Sequence, residues 1–242
     1  MKTLLTIALI LLAGTGCHSL WPDDDLVGDG HLIEVRPSFT AFSGIDIDNS
    51  LEAEVTIGEP TVVLTLDQNI IDANVVHVTV ENGILVVRQC DGCRDFAPSK
   101  GAGLRVSAPL VDRVITRGLA SVTAHANGTQ LMLESEGLSH LAVTASAART
   151  AEIDASEEST LVLLGAAPSL TIHARDEAVV HSLVAAVAVK ISSDELTRVF
   201  ASASASAQVA ASGESVVEVR GEPIDRTVRR VDAARVTFPA RE

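Results

Sequence analysis

Three acidic pairs recur at a spacing that could do chemistry: Glu157–Glu158, Asp176–Glu177 and Asp194–Glu195. If the chain between them stacks as repeats, they fall in nearly the same turn of successive layers, one strand spacing of about 4.8 Å apart. Two carboxyl groups about 5 Å apart can serve a retaining glycosidase. Carboxylate oxygens brought together can also chelate Ca²⁺. The third reading, which we adopt, is solvated turns: bare stacking of like charges is destabilising, so the side chains flare into water. Aromatic residues are 2% of the chain, with no Tyr and one Trp. The aromatic platform on which a sugar-cleaving site usually relies is therefore missing. His125, His140, His173 and His181 occupy four different positions within the repeat, whereas a zinc site needs three or four convergent ligands. No G-x-S-x-G, H-E-x-x-H, P-loop or dinucleotide fingerprint occurs. We expect no catalytic residue, no metal site and no cofactor.

The cysteines carry the remaining chemistry. The N-terminal "MKTLLTIALILLAGTGC" has one Lys, an apolar run from Leu4 to Ala13, then small residues ending on Cys17. A run of that length is the core of an export signal and too short to span a bilayer comfortably. The pattern resembles a bacterial lipoprotein signal, with cleavage before Cys17 leaving that residue to carry the lipid. It departs at Gly14, where the motif usually has an aliphatic residue, and an ordinary secretory signal is the alternative. Cys90 and Cys93 form "CDGC" between the strand-like "ILVVRQ" and the loop "FAPSKGAG". Export into an oxidising compartment favours a local disulfide between them. Redox or metal-binding use, which needs a different setting, and free thiols are the other options.

The elements that would position these groups show up as a repeat. From Val122, aliphatic residues follow at Leu141, Leu161, Val180, Val199, Val217 and Val236, in steps of 18 to 20. Eight residues before each stands another: Val114, Leu133, Ile153, Ile172, Ile191, Val209 and Val228. The position two before each is always small, and six before is small in all units but the last, which has Arg230. A period near 19 fits one coil of a β-solenoid, in which each turn of chain stacks on the one before. Aliphatic columns then become internal ladders, and small columns mark where the interior narrows. The fold expected is all-β: a solenoid resembling a right-handed parallel β-helix, preceded by a region of short strands.

"ASASASA" (201–207) tests that register. As a tether it would have no reason to keep phase, yet Val199 and Val217 stay 18 apart across it. It is read as a strand with Ala201, Ala203, Ala205 and Ala207 inward and the serines outward. Upstream, "HLIEVR", "LEAEVTIG", "TVVLTL", "VVHVTV" and "ILVVRQ" read as short strands, with "ENG" (81–83) as a turn. The expected organisation is a signal peptide over 1–16, a tether over 17–30, an N-terminal β region over 31–108, the solenoid over 109–237 and a tail over 238–242. The net charge of −14 makes nucleic acid and anionic surfaces poor partners.

Several segments resemble the bacterial auto-transporter adhesin "head GIN" domain family of exported proteins. They are "FTAFSGIDI" (39–47), "LDQNIID" (66–72), "ENGILVV", "SAPLVDRV" and "RGEP" (220–223). The resemblance covers roughly residues 32–237 and implies a β-solenoid. The chain departs from the family's "SGSGD" turns: Gly persists at the first turn position as Gly118, Gly137 and Gly213, and the second Gly is replaced throughout. No segment resembles a translocating barrel, which needs aromatic girdles. The function expected is a lipid-anchored cell-envelope solenoid acting as an adhesin-like or scaffold binding module, not an enzyme. Its partner would be an envelope protein or polysaccharide, and its membrane contact would run through the N-terminal lipid. A polysaccharide-active solenoid enzyme and a periplasmic sensor or accessory domain are the alternatives.

Overall fold

Alternation of aliphatic and polar residues with a period of two places every second side chain on one face of a strand. With no segment long enough for a helix between them, successive strands wind and stack. The computed structural model of the chain describes residues 26–39, 41–90, 93 and 95–239. In chain order it begins with β1 (Leu26–Val27) and β2 (Leu32–Val35), then β3 (Gly44–Asn49) and β4 (Glu52–Ile57), which together form one coil. An excursion follows: β5 (Thr61–Asp67), α1 (Gln68–Asp72), β6 (Val76–Glu81), β7 (Ile84–Gln89), β8 (Phe96–Ala97) and β9 (Gly103–Ala108). The chain then winds on through β10 (Arg113–Gly118), β11 (Ser121–Ala126), β12 (Gln130–Ser135), β13 (His140–Ala145), β14 (Thr150–Ala155) and β15 (Thr160–Gly165). It ends with β16 (Ser169–Ala174), β17 (Val179–Ser182), β18 (Ala186–Ser193), β19 (Arg198–Ala211), β20 (Val216–Arg220), β21 (Asp225–Arg230) and β22 (Arg235–Thr237).

The strands form two facing parallel ladders. Sheet I runs β7, β3, β10, β12, β14, β16, β18, the second half of β19, and β21. Sheet II runs β9, β4, β11, β13, β15, β17, the first half of β19, β20 and β22. The expected columns are rungs: Val114 pairs with Leu133, Leu133 with Ile153, and Ile153 with Ile172, while Val122, Leu141, Leu161 and Val180 do the same opposite. All of these residues are buried. The two small columns flank the tight corner from sheet I to sheet II, where inward side chains meet across the turn. There the Ser135 and Ser139 hydroxyls lie 2.9 Å apart, and Ser193 lies 2.7 Å from Thr197. A larger side chain would clash in every coil.

The boundary expected at 108/109 is not where the solenoid starts. β3 and β4 are already a coil, with Ile45 beside Val114 and Ala53 beside Val122. The excursion β5–β9 then places β7 and β9 on the other edge of that coil and closes the end with antiparallel strands, β6 on β7, β5 on β9 and β2 on β5. This is the usual treatment of a sheet edge that would otherwise template further pairing. The hairpin turn at Asn82–Gly83 has both residues at positive φ, 52° and 78°, as a two-residue turn matched to strand twist requires.

The tether likewise ends before residue 30: Leu26 and Val27 pair with Phe96 and Ala97. Asp67 and Asn69 of "LDQNIID" hold this segment down. The buried Asp67 carboxylate accepts hydrogen bonds from the backbone N–H groups of Gly30 and Ser99, each at 2.8 Å. Asn69 Nδ2 donates to the Val27 carbonyl at 2.8 Å. A Cβ on Gly28 would run into the Asp67 carboxylate. Phe238, placed in the tail by the sequence, packs against the core.

"ASASASA" lies within the 14-residue β19, which passes from sheet II to sheet I with no intervening turn. Elsewhere that corner is a short loop. Ala201, Ala203 and Ala207 are buried, as expected, but Ala205 is only half-buried. It sits in a bulge where the pairing with β18 shifts between Ala186 and Ala188, and the extra residue turns the alternation.

Candidate functional site

The acidic turns lie at the tight corner of each coil. A single position there is left-handed in every repeat. Gly118, Gly137 and Gly213 fill it at φ 67°, 78° and 68°, and Glu157, Asp176, Glu195 and Asp232 fill it at φ 60°, 62°, 58° and 61°. A left-handed conformation costs a non-glycine residue roughly 1–2 kcal/mol. The third acidic pair is therefore one residue out of register: Glu195, not Asp194, aligns with Glu157 and Asp176. The corners stack through backbone bonds, Glu177 N–H to Glu157 O (3.1 Å) and Leu196 N–H to Asp176 O (2.8 Å). Two of the carboxylates, Asp176 and Asp194, serve the turns. Asp176 Oδ2 accepts from the Glu157 amide at 3.3 Å. Asp194 Oδ1 accepts from Ser212 Oγ at 2.7 Å and from the Glu195 amide at 2.8 Å. The Ser212 hydroxyl, then that amide, hold the Asp194 carboxyl below its ordinary range. Glu157, Glu158, Asp176, Glu177, Asp194 and Glu195 are partly or fully exposed. Among the described residues no three His, Cys, Asp or Glu side chains converge as metal ligands would.

The histidines behave differently from expectation in one case. His125 and His140 lie on the outer face of sheet II and His173 on that of sheet I, away from one another. His181 is one rung from Phe200, and their rings stack at 4.6 Å between centroids and 8° between planes. The repeat could have found this pair, because 181 and 200 are one period apart. Rings stacked along the ladder turn their edges outward, so neither offers its flat face to a sugar. They stand in an outward row with Ala142 and Val162, beside the half-buried Val179 and Val216, with Leu183 63% exposed at the corner. The outer wall of sheet I is polar: its central row carries Glu134, Asp154, His173 and Ser192. Near the N-terminal end of that wall Arg117 binds Asp46 through NH1 at 2.7 Å and Glu134 through NH2 at 2.9 Å.

A groove of about 670 Å³ runs along sheet II near the capped end, lined by Glu34, Glu52, Glu54 and Arg105 among others. Arg105 is bound to Glu34 at 3.0 Å, and among the described residues no aromatic side chain lines the groove. The Cys90 and Cys93 sulfurs are bonded, with their Cα atoms 5.5 Å apart, in the loop between β7 and β8. Cys17 lies outside the described residues, as do the signal segment and most of the tether. Among the described residues no helix is long and apolar enough to cross a membrane.

Residues 41–223 match the family described as "Putative auto-transporter adhesin, head GIN domain". The chain belongs to the head GIN domain family. Among solved structures, a "putative adhesin" from Bacteroides fragilis NCTC 9343 superposes with a TM-score of 0.82 at 16% identity, over 88% of this chain and 100% of that one. A "putative lipid binding protein" from Parabacteroides distasonis ATCC 8503 gives 0.67 at 11% identity over 88% and 100%. A "putative adhesin" from Parabacteroides merdae ATCC 43184 gives 0.66 at 16% over 90% and 100%. At these identities the likeness is one of fold. Comparison with curated proteins returned no match. Within this head GIN chain the family match ends at Pro223, so the last coil, β21–β22, lies beyond it.

Proposed function

We propose that this head GIN protein is an exported, lipid-anchored binding module of the cell envelope, in which the outer wall of sheet II is the binding face. The observation that carries the reading is the contrast between walls. The central outward row of sheet II, Ala142–Val162–His181–Phe200, carries aliphatic side chains and a stacked ring pair with no formal acid or base but the His181 imidazole, whereas that of sheet I carries carboxylates and hydroxyls. Contiguous apolar surface rimmed by polar residues is a mark of interaction sites. The lipid on Cys17 would hold the module at a membrane, and the Cys90–Cys93 disulfide would stiffen the loop at the capped end in an oxidising compartment. The partner is an envelope protein or polysaccharide. The adhesin-like descriptions of the family and of the structural neighbours support a binding role over an enzymatic one.

A photo-crosslinking residue placed at Val162, on the sheet II wall, and another at Thr171, on the sheet I wall, test the reading in living cells. Discrete adducts from position 162 and none from 171 are expected. Equal labelling from both walls, or none from 162, would remove sheet II as the binding face.

A further inference from the structure

The two ends of the solenoid are unlike. The N-terminal end is closed by antiparallel strands and α1. At the other end β21 pairs with β19 and β22 with β20, and among the described residues nothing pairs with their outer edges. All six residues of β21 are exposed. A terminal strand in that state offers a row of unsatisfied N–H and C=O groups, which an extended chain can complete.

This end also carries the opposite charge to the rest of the molecule. Residues 220–239 hold five of the chain's 18 basic residues and three of its 32 acids. Arg229, Arg230 and Arg235 have no ionic partner among the described residues, and all three are exposed. Arg226 and Arg230 stand in inward columns that the preceding coil fills with Ala207 and Ala211. The Arg226 guanidinium lies over the Phe238 ring at 4.8 Å, and its Nε donates to the Pro223 carbonyl at 3.0 Å. Positive charge on an open edge opposes pairing with a second such edge, since like charges directly across a ladder destabilise it. It favours a strand whose side chains are acidic.

We propose that the open C-terminal end of the solenoid takes an extended acidic segment of another polypeptide as an added strand on β21. Main-chain hydrogen bonds supply affinity, and Arg229 and Arg230 select for carboxylates at the facing positions. The added strand does for this end what β6 and β5 do for the other. This surface is distinct from the sheet II wall, so either can fail without the other.

The test uses the full mature chain and synthetic probes: an alternating Glu–Val decapeptide, its Lys–Val counterpart, the Glu–Val peptide N-methylated along one edge, and heparin as a polyanion unable to pair as a strand. Binding is read by fluorescence anisotropy, and amide hydrogen exchange is followed across residues 225–230. The Glu–Val peptide should bind at least about tenfold tighter than either peptide control, roughly 1.4 kcal/mol, and should slow exchange in β21. Arg229→Glu/Arg230→Glu should remove that preference while leaving the melting temperature unchanged, because both side chains are exposed. Heparin binding without protection of β21, equal binding of the two charge variants, or no peptide binding would each overturn the proposal.

Discussion

Asp67 shows how much one carboxylate can hold in place. Burial alone would raise its pKa, but the hydrogen bonds from Ser99 and from the Gly30 amide outweigh burial and keep the carboxyl below its ordinary value. A group whose folded pKa is depressed stabilises the fold above its unfolded pKa, near 3.9, and that contribution is lost as pH falls through the folded value. Asp67→Ala strands the Gly30 and Ser99 amides and should cost about 1–3 kcal/mol at neutral pH. Asp67→Asn keeps the shape and one acceptor oxygen but removes the titration. Thermal melts should therefore show wild type ahead of Asp67→Asn at pH 7, with the gap closing toward pH 3. A gap that stays constant over that range would show that the charge is not what holds the segment. The acids at the corner turns make the complementary point. Glu157, Asp176 and Glu195 occupy a left-handed position that glycine fills elsewhere, and their neighbours' hydrogen bonds explain how the turns tolerate them.

β19 is the element that most tests the physics. A strand can round a solenoid corner without a turn only if its side chains are small on both faces, and "ASASASA" supplies that. The serines do more than face outward: Ser202 Oγ donates to the Val184 carbonyl at 2.6 Å and Ser204 Oγ to that of Ala186 at 3.3 Å. Ala203 is buried and Ser204 exposed. Ala203→Leu should overpack a wall whose coils cannot move apart, costing roughly 1–3 kcal/mol. Ser204→Leu gives up one long hydrogen bond on the outer face and should cost less than about 1 kcal/mol. Chemical denaturation of both variants beside wild type decides. A larger loss at Ser204 than at Ala203 would reverse the assigned faces.

For the molecule as a whole, the proposal that it is held at a membrane rests on the N-terminal sequence, and Cys17→Ser tests it. The variant should lose palmitate labelling and pass to the soluble fraction, because stable anchoring takes at least two acyl signals. Membrane fractionation identical to wild type would count against lipidation. The sequence by itself determined the coil. Period, inward columns and small corners are local and repeat every 19 or so residues, so the same packing constraint is printed many times along the chain. It did not determine where the solenoid begins, because β3–β4 meet their neighbours β7, β9, β10 and β11 across an excursion whose strands break the period. Nor did it show the Asp67 clamp that joins residues 37 and 32 apart or the asymmetry of the two ends. Each of these depends on which strands lie side by side in space, and only the tertiary structure decided that.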